Sequence, residues 1–190
     1  DVVCPENPRM VYYCAILIHK RQAQVLAPPT TRHFASSQMG RHFLSVDVVV
    51  ERQFGSPVTV ITTHLESMKS ERVERIKQLT EVLIAAADYA ASRPHTVLFA
   101  GDVNARDEEV FAARKVARDK RPGVDNIVDA WVWCGSQKMN EFTWDTSVNT
   151  NLGCRFSSRC RFDRCYFSSP HVTDGQGAIL GKLLQGSSNK

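Results

Sequence analysis

Asp102 and Asn104, one residue apart and preceded by Gly101, are the side chains in this sequence best placed to do chemistry. They follow an apolar, β-favouring run, Thr-Val-Leu-Phe-Ala (96–100). A buried strand ending there delivers a carboxylate and an amide to the rim of a sheet, where ligands usually sit. The glycine lets the backbone turn sharply. A carboxylate beside a neutral amide suits a hard cation plus a phosphate oxygen, because magnesium takes few carboxylates and leaves other positions to water and substrate. An ordinary strand-to-helix turn, with Asp102 or Asn104 capping the helix that follows, explains the same residues and stays open on them alone.

Two further polar clusters stand out. Thr-His-Leu-Glu-Ser (63–67) lies where another β-rich run, 58–63, ends. Taken alone, His64 reads as readily as a satisfied core histidine. Arg-Phe-Asp-Arg (161–164) falls inside a predicted strand, 160–167, with Arg161 and Asp163 on one face.

The elements that must position these clusters follow from periodicity. Residues 12–20 and 42–51 read as strands separated by a looser polar segment, 21–38. Glycine and proline in 52–57 turn the chain back into 58–63 as a hairpin. The spacing of Val73, Ile76, Leu79, Thr80, Leu83, Ile84 and Ala87 predicts an amphipathic helix over 70–91, with Glu71 and Glu74 near its positive end. A strand at 96–100 then completes a strand–helix–strand crossover. Residues 107–118 read as a helix, 119–126 as a basic loop, 127–134 as a short apolar helix or turn, and 142–153 as an Asn/Thr-rich loop. Arg114, Lys115, Arg118, Lys120 and Arg121 favour a helix-end role over a nucleic-acid patch. The last residues, 186–190, are expected to fray.

A length of 190 residues and a composition 43% hydrophobic and 23% charged suit a single globular domain over 1–190. The net charge of +4 permits an anionic partner without demanding one. No apolar run is long enough to cross a bilayer, and the first residues lack a signal-peptide pattern. The six cysteines, Cys4, Cys14, Cys134, Cys154, Cys160 and Cys165, lack zinc-type spacing and read as reduced thiols of a protein that is not secreted.

Taken together and in order, the clusters at 63–67, 101–107 and 161–164 resemble the endonuclease/exonuclease/phosphatase superfamily of magnesium-dependent phosphoesterases. Asn-Ile-Val-Asp-x-Trp (126–131), Phe-Thr-Trp-Asp-Thr (142–146) and Asn-Thr-Asn-Leu-Gly (149–153) narrow the resemblance to its tyrosyl-DNA phosphodiesterase group. It runs from about residue 12 to 167. It implies an α/β fold, a two-sheet sandwich with helices outside. It also implies hydrolysis of the phosphodiester joining a tyrosine or peptide adduct to a DNA 5′ end, in repair of topoisomerase adducts.

Carried over residue by residue, Asp102, Asn104, His64 and Asp163 are the catalytic set. In-line displacement at phosphorus needs an activated water, a cation and donors around the non-bridging oxygens. Asp102 positions the water and Asn104 orients it, protonated His64 stabilises the pentavalent state, and Asp163 holds an imidazole in one tautomer. Trp144, Leu152 and Phe162 match the wall that packs the DNA end, and Arg41, Ser67, Lys69 and Arg106 match polar positions along the strand, with Tyr12 flanking it. Each of these last also has an ordinary core or surface reading.

Magnesium, with manganese as a substitute, is the implied cofactor. The expected setting is nuclear, with a cytoplasmic fraction, as a monomer. The family's metal-binding glutamate, its Thr-Trp-Asn motif and its closing Ser-Asp-His are not in this sequence. The metal ligands are therefore unassigned, and the resemblance implies a partial domain, inactive by itself and with open sheet edges. Other phosphoesterases of the superfamily (abasic-site endonuclease, deadenylase, phosphoinositide phosphatase) are the neighbouring readings, and a degenerate non-catalytic DNA-binding or scaffold protein is the reading from another class.

Overall fold

The computed structural model describes residues 1–5, 13–50, 57–153 and 157–170. Its longest helix, α1 (Arg72–Ser92), follows a single 3-10 turn at Lys69–Glu71. Leu79, Val82, Leu83 and Ala86 on its inner face are wholly buried. Val73, expected on that face, is 66% exposed. Its place in the first buried turn goes to Arg75, which donates to the carbonyls of Glu66 and Met68 and pairs with Glu109 at 2.7 Å.

The helix crosses over a sheet whose centre is β6 (Pro57–His64) and β7 (Thr96–Asp102), paired in parallel as the crossover predicts. Outward on one side β6 pairs antiparallel with β5 (His42–Val50), the expected hairpin, although the turn residues 51–56 lie outside those described. β5 in turn pairs with both β3 (Ala23–Val25) and β4 (Thr30–His33). These two short strands fall in 21–38, which has no period-2 pattern; they are recruited by the long β5 edge rather than by their own composition. On the other side β7 pairs antiparallel with β11 (Asp163–Ser168), and β11 with β8 (Val128–Asp129), so seven strands form one sheet. The expected strand over 12–20 contributes β2 (Ile16–Leu17), which among the described residues pairs with β1 (Val2–Val3) alone.

The strand expected over 160–167 is broken at Arg161-Phe162. Its first part, β10 (Arg159–Cys160), forms a separate ribbon with β9 (Trp144–Asp145), and its second part is β11. Between β7 and β8, α2 (Asp107–Lys120) packs beside α1, and α3 (Ala130–Trp133) is a single turn capped by Asp129.

Alternation along the strands sends side chains to two different layers. Phe43, Ile61, Phe99 and Tyr166, all 0% exposed, meet the helices. Leu44, Val46, Val48, Val58 and Val60 face the other way and pack against Val3 and Ile18 of the β1–β2 region. Helices on one face and β-structure on the other make the α/β arrangement that the motifs imply. Gly101 stands where β6 and β7 run closest: a Cβ there would meet the Thr63 carbonyl oxygen at 2.2 Å.

Candidate active site

Pairing alone brings three titratable groups into one row. His64 at the end of β6 is the register partner of Asp102 at the end of β7, and Asp102 is the partner of Asp163 at the start of β11. His64 Nε2 lies 3.6 Å from Asp102 Oδ2. The other oxygen, Oδ1, accepts the backbone N–H of Asn104 at 2.9 Å. Asn104 adopts φ +50°, a left-handed conformation that asparagine tolerates better than most residues, and its Nδ2 donates to the Leu65 carbonyl at 3.1 Å. The Leu65 N–H returns a bond to the Asp102 carbonyl at 3.0 Å, so the two strand ends are laced together.

The capping alternative fails. α2 begins at Asp107 after Arg106, whose N–H donates to Glu109 Oε2 at 2.7 Å. Neither Asp102 nor Asn104 serves that helix, and Glu109, held by Arg75, does the work instead.

Burial and charge set the protonation of the row. Desolvation pulls the His64 pKa below its ordinary value, and the Arg41 guanidinium pulls it further, against the opposing fields of Asp102 and Asp163. Burial pushes the Asp102 carboxyl up, opposed by its bond from Asn104 and by the neighbouring imidazole. Desolvation and the Arg41 field both favour a neutral imidazole at neutral pH.

Arg41 is only 5% exposed, with Nε 3.6 Å from Glu66 Oε2. Glu66 is wholly buried, and its Oε1 accepts the N–H groups of Gln38 and Met39 at 2.8 and 3.1 Å. One buried carboxylate thus folds the loop before β5 and steadies the cation whose field reaches His64 and Asp102. Sequence reasoning passed over Glu66, although it stands two residues after His64 in the quoted motif. Ser67, beside it, is partly buried and donates to Met39 Sδ at 3.5 Å, whereas Lys69 and Arg106 are exposed.

Phe162 is partly buried at the break between β10 and β11, and its carbonyl accepts the N–H of Val103 at 2.9 Å, tying it to the Asp102 turn. Trp144 is partly buried in β9, opposite Cys160. Tyr12 and the side chain of Leu152 lie outside the described residues. Arg161 does not share a face with Asp163. It turns away to bond both oxygens of Asp129 at 2.9 Å and stacks over Trp131 at 4.4 Å, because a buried guanidinium requires a carboxylate partner. The basic run on α2 is absorbed locally: Arg118 pairs with Asp125, Arg121 with Asp88, and Arg114 donates to the Ile127 carbonyl. Cys4, Cys14, Cys134, Cys160 and Cys165 are free thiols, and Cys154 lies outside the described residues.

A cavity of about 90 Å³ lined by Cys14, Gly40, Arg41, His42 and His64 adjoins the row. A larger one, about 420 Å³, lies at the far end of the sheet between α1 and β11 and holds none of the candidate residues. Among the described residues no group of three or more His, Cys, Asp and Glu side chains converges on a metal position. Asp102 and Asn104 supply oxygen donors of the kind magnesium accepts, and an ion there would depend on water and phosphate for its remaining positions.

No family model matches the chain. It is 36% identical over 173 residues to human tyrosyl-DNA phosphodiesterase 2, covering 91% of this chain and 43% of that protein. Against the zebrafish protein it is 33% identical over 174 residues, covering 90% and 44%. A crystal structure of TDP2 from C. elegans superposes with a TM-score of 0.76 at 33% identity, covering 90% of this chain and 48% of that one. D. rerio TDP2 complexed with single strand DNA product matches with a TM-score of 0.71 at 32% identity, covering 85% and 60%. The human Nocturnin catalytic domain, at 13% identity and a TM-score of 0.59, shares the fold alone.

Sheet, helices and polar row reproduce the α/β fold of the C. elegans and D. rerio TDP2 structures. In sequence the chain is similar to tyrosyl-DNA phosphodiesterase 2, and it spans less than half the length of the curated relatives it matches.

Proposed function

We propose that the protein carrying this chain is a magnesium-dependent phosphodiesterase that removes tyrosine from DNA 5′ ends, and that this chain supplies much of its active site. The observation that carries the reading is the row His64, Asp102 and Asp163 across three adjacent strands, with Asn104 folded onto it. Asp102 holds the attacking water and shares the cation. Asn104 orients that water, and Arg41 and His64 draw in the phosphate. His64 takes up a proton as the phosphate's charge approaches and donates a charge-assisted hydrogen bond to the developing oxyanion. A magnesium ion held by Asp102 and Asn104 would neutralise charge building on the phosphoryl oxygens.

Trp144 and Phe162 offer aromatic surface to the terminal base, a contact worth roughly 1–3 kcal/mol per base and indifferent to sequence. That fits an enzyme that reads an adduct rather than a sequence. Work on topoisomerase adducts would place the protein in the nucleus. The similarity to D. rerio TDP2 complexed with single strand DNA product supports a DNA end as the substrate. The test is magnesium-dependent release of tyrosine from a 5′-phosphotyrosyl oligonucleotide by the protein carrying this chain. Loss of release in Asp102→Asn is expected. Cleavage of an abasic duplex in place of the tyrosyl substrate would overturn the assignment.

A further inference from the structure

We infer that Thr143 is a positioning residue for Asp163, and through it for the polar row; the inference rests on the phosphodiesterase reading of that row. Where β10 stops at Cys160 and β11 starts at Asp163, the chain changes partners and the ladder hydrogen bonds lapse. Two N–H groups, of Phe162 and Asp163, face that gap. Both donate to one acceptor, Thr143 Oγ1, at 3.1 and 3.0 Å. Thr143 is anchored in turn, its own N–H donating to the Cys160 carbonyl at 3.1 Å.

The hydroxyl therefore stands in for a missing strand at the point where Asp163 must meet Asp102. Its bonds also fix Phe162, whose carbonyl takes the Val103 N–H beside the Asp102 turn at 2.9 Å. The hydroxyl thus joins the β9–β10 ribbon to the start of β11, and Phe162, held by it, reaches on to the turn after β7. Residue 143 is solvent-exposed, so packing does not require a threonine there. An acceptor on Cβ is what the position demands, and only threonine or serine provides one without lengthening the reach.

The test compares Thr143→Val, which keeps the shape and loses the oxygen, with Thr143→Ser, which keeps the oxygen. Amide hydrogen exchange at Phe162 and Asp163, followed by NMR, should quicken about tenfold in Thr143→Val, the scale of one hydrogen bond, and return to normal in Thr143→Ser. Tyrosine release should lose kcat with little change in KM in the valine variant and recover in the serine variant. Unchanged protection in Thr143→Val would overturn the inference, as would lost protection with full turnover, or a serine variant that fails to rescue. Exchange needs no substrate. Protection that depends on the hydroxyl in a protein that releases no tyrosine would sink the phosphodiesterase reading while leaving Thr143 as what fixes Asp163.

Discussion

On the helix-covered face of the sheet, Phe99 of β7 and Tyr166 of β11 are fully buried, their rings stacked 5.4 Å apart. One residue along, on the opposite face of the same strands, Leu98, Ala100 and Cys165 are only partly buried, and the row ends in Asp102 and Asp163. Strand alternation makes the two faces neighbours at every residue, yet they are put to different uses. One face holds the packed layer that makes the sheet rigid. The other carries polar groups at its rim, where burial lowers the His64 pKa and raises that of Asp102. The lesson is a division of labour: the large packed side chains beneath the helices hold the sheet, and the polar row sits at its rim.

If that division is right, activity and stability should separate most sharply at Asp102. Asp102→Asn is expected to lower tyrosine release about 10²–10⁴-fold, the usual size for a positioned acid–base group. Thermal melting should hold steady or rise slightly, because the carboxylate is already pushed above its ordinary range by burial. A variant that melts far lower would mean the row is part of the scaffold. Phe99→Ala probes the reverse case and should cost about 3–5 kcal/mol in denaturant unfolding, as filled aromatic sites do. Leu98→Ala, next door on the opposite face, should cost less, about 2 kcal/mol, because its side chain is only partly buried. Equal losses would erase the contrast between the faces.

Gly101 is the position where the two uses collide. In Gly101→Ala the new methyl group would meet backbone, the Thr63 carbonyl oxygen, which cannot swing aside. A loss of about 1–3 kcal/mol is expected from such overpacking. It should be accompanied by a larger loss of turnover, since Thr63 and Gly101 are register partners one residue before His64 and Asp102. Normal turnover with reduced stability would show that the row tolerates a shifted register.

Much of this was readable from residue order. The crossover through α1 follows from a clear 3.6-residue pattern between two β-rich runs, and it forces β6 and β7 side by side, so that His64 and Asp102 have to meet. Asp163 joins them because β11 pairs with β7, which the motif order implies but no local pattern states. Short strands were the blind spot. β3 and β4 exist because β5 offers them an edge, and the break at Arg161-Phe162 exists because Arg161 is drawn to Asp129 and Trp131. Glu66, Arg75 and Glu109 were also illegible: charged residues are expected at the surface, and only the folded geometry shows the partners that make their burial tolerable.

The smallest effect concerns pH, and it tests how deeply the row is embedded. His64 binds its proton less readily in the folded chain than in the unfolded one, first through burial and then through Arg41. The stability that follows from keeping it neutral is complete above the ordinary imidazole value of 6.5 and declines as pH falls through it. Asp102 works in the opposite sense, since its raised pKa makes the folded state gain stability as pH falls toward the ordinary carboxyl value of 3.8. Melting temperature should therefore drop between pH 7 and pH 5.5 in the wild type (window set roughly by the imidazole) and drop less in His64→Gln. Identical profiles in the two proteins would mean that the imidazole is solvated after all. Inorganic phosphate offers the sharper version. An anion seated between Arg41 and His64 should raise the imidazole pKa, visible as a shifted His64 titration by NMR, whereas a rim that does not gather phosphate would leave that titration where it was.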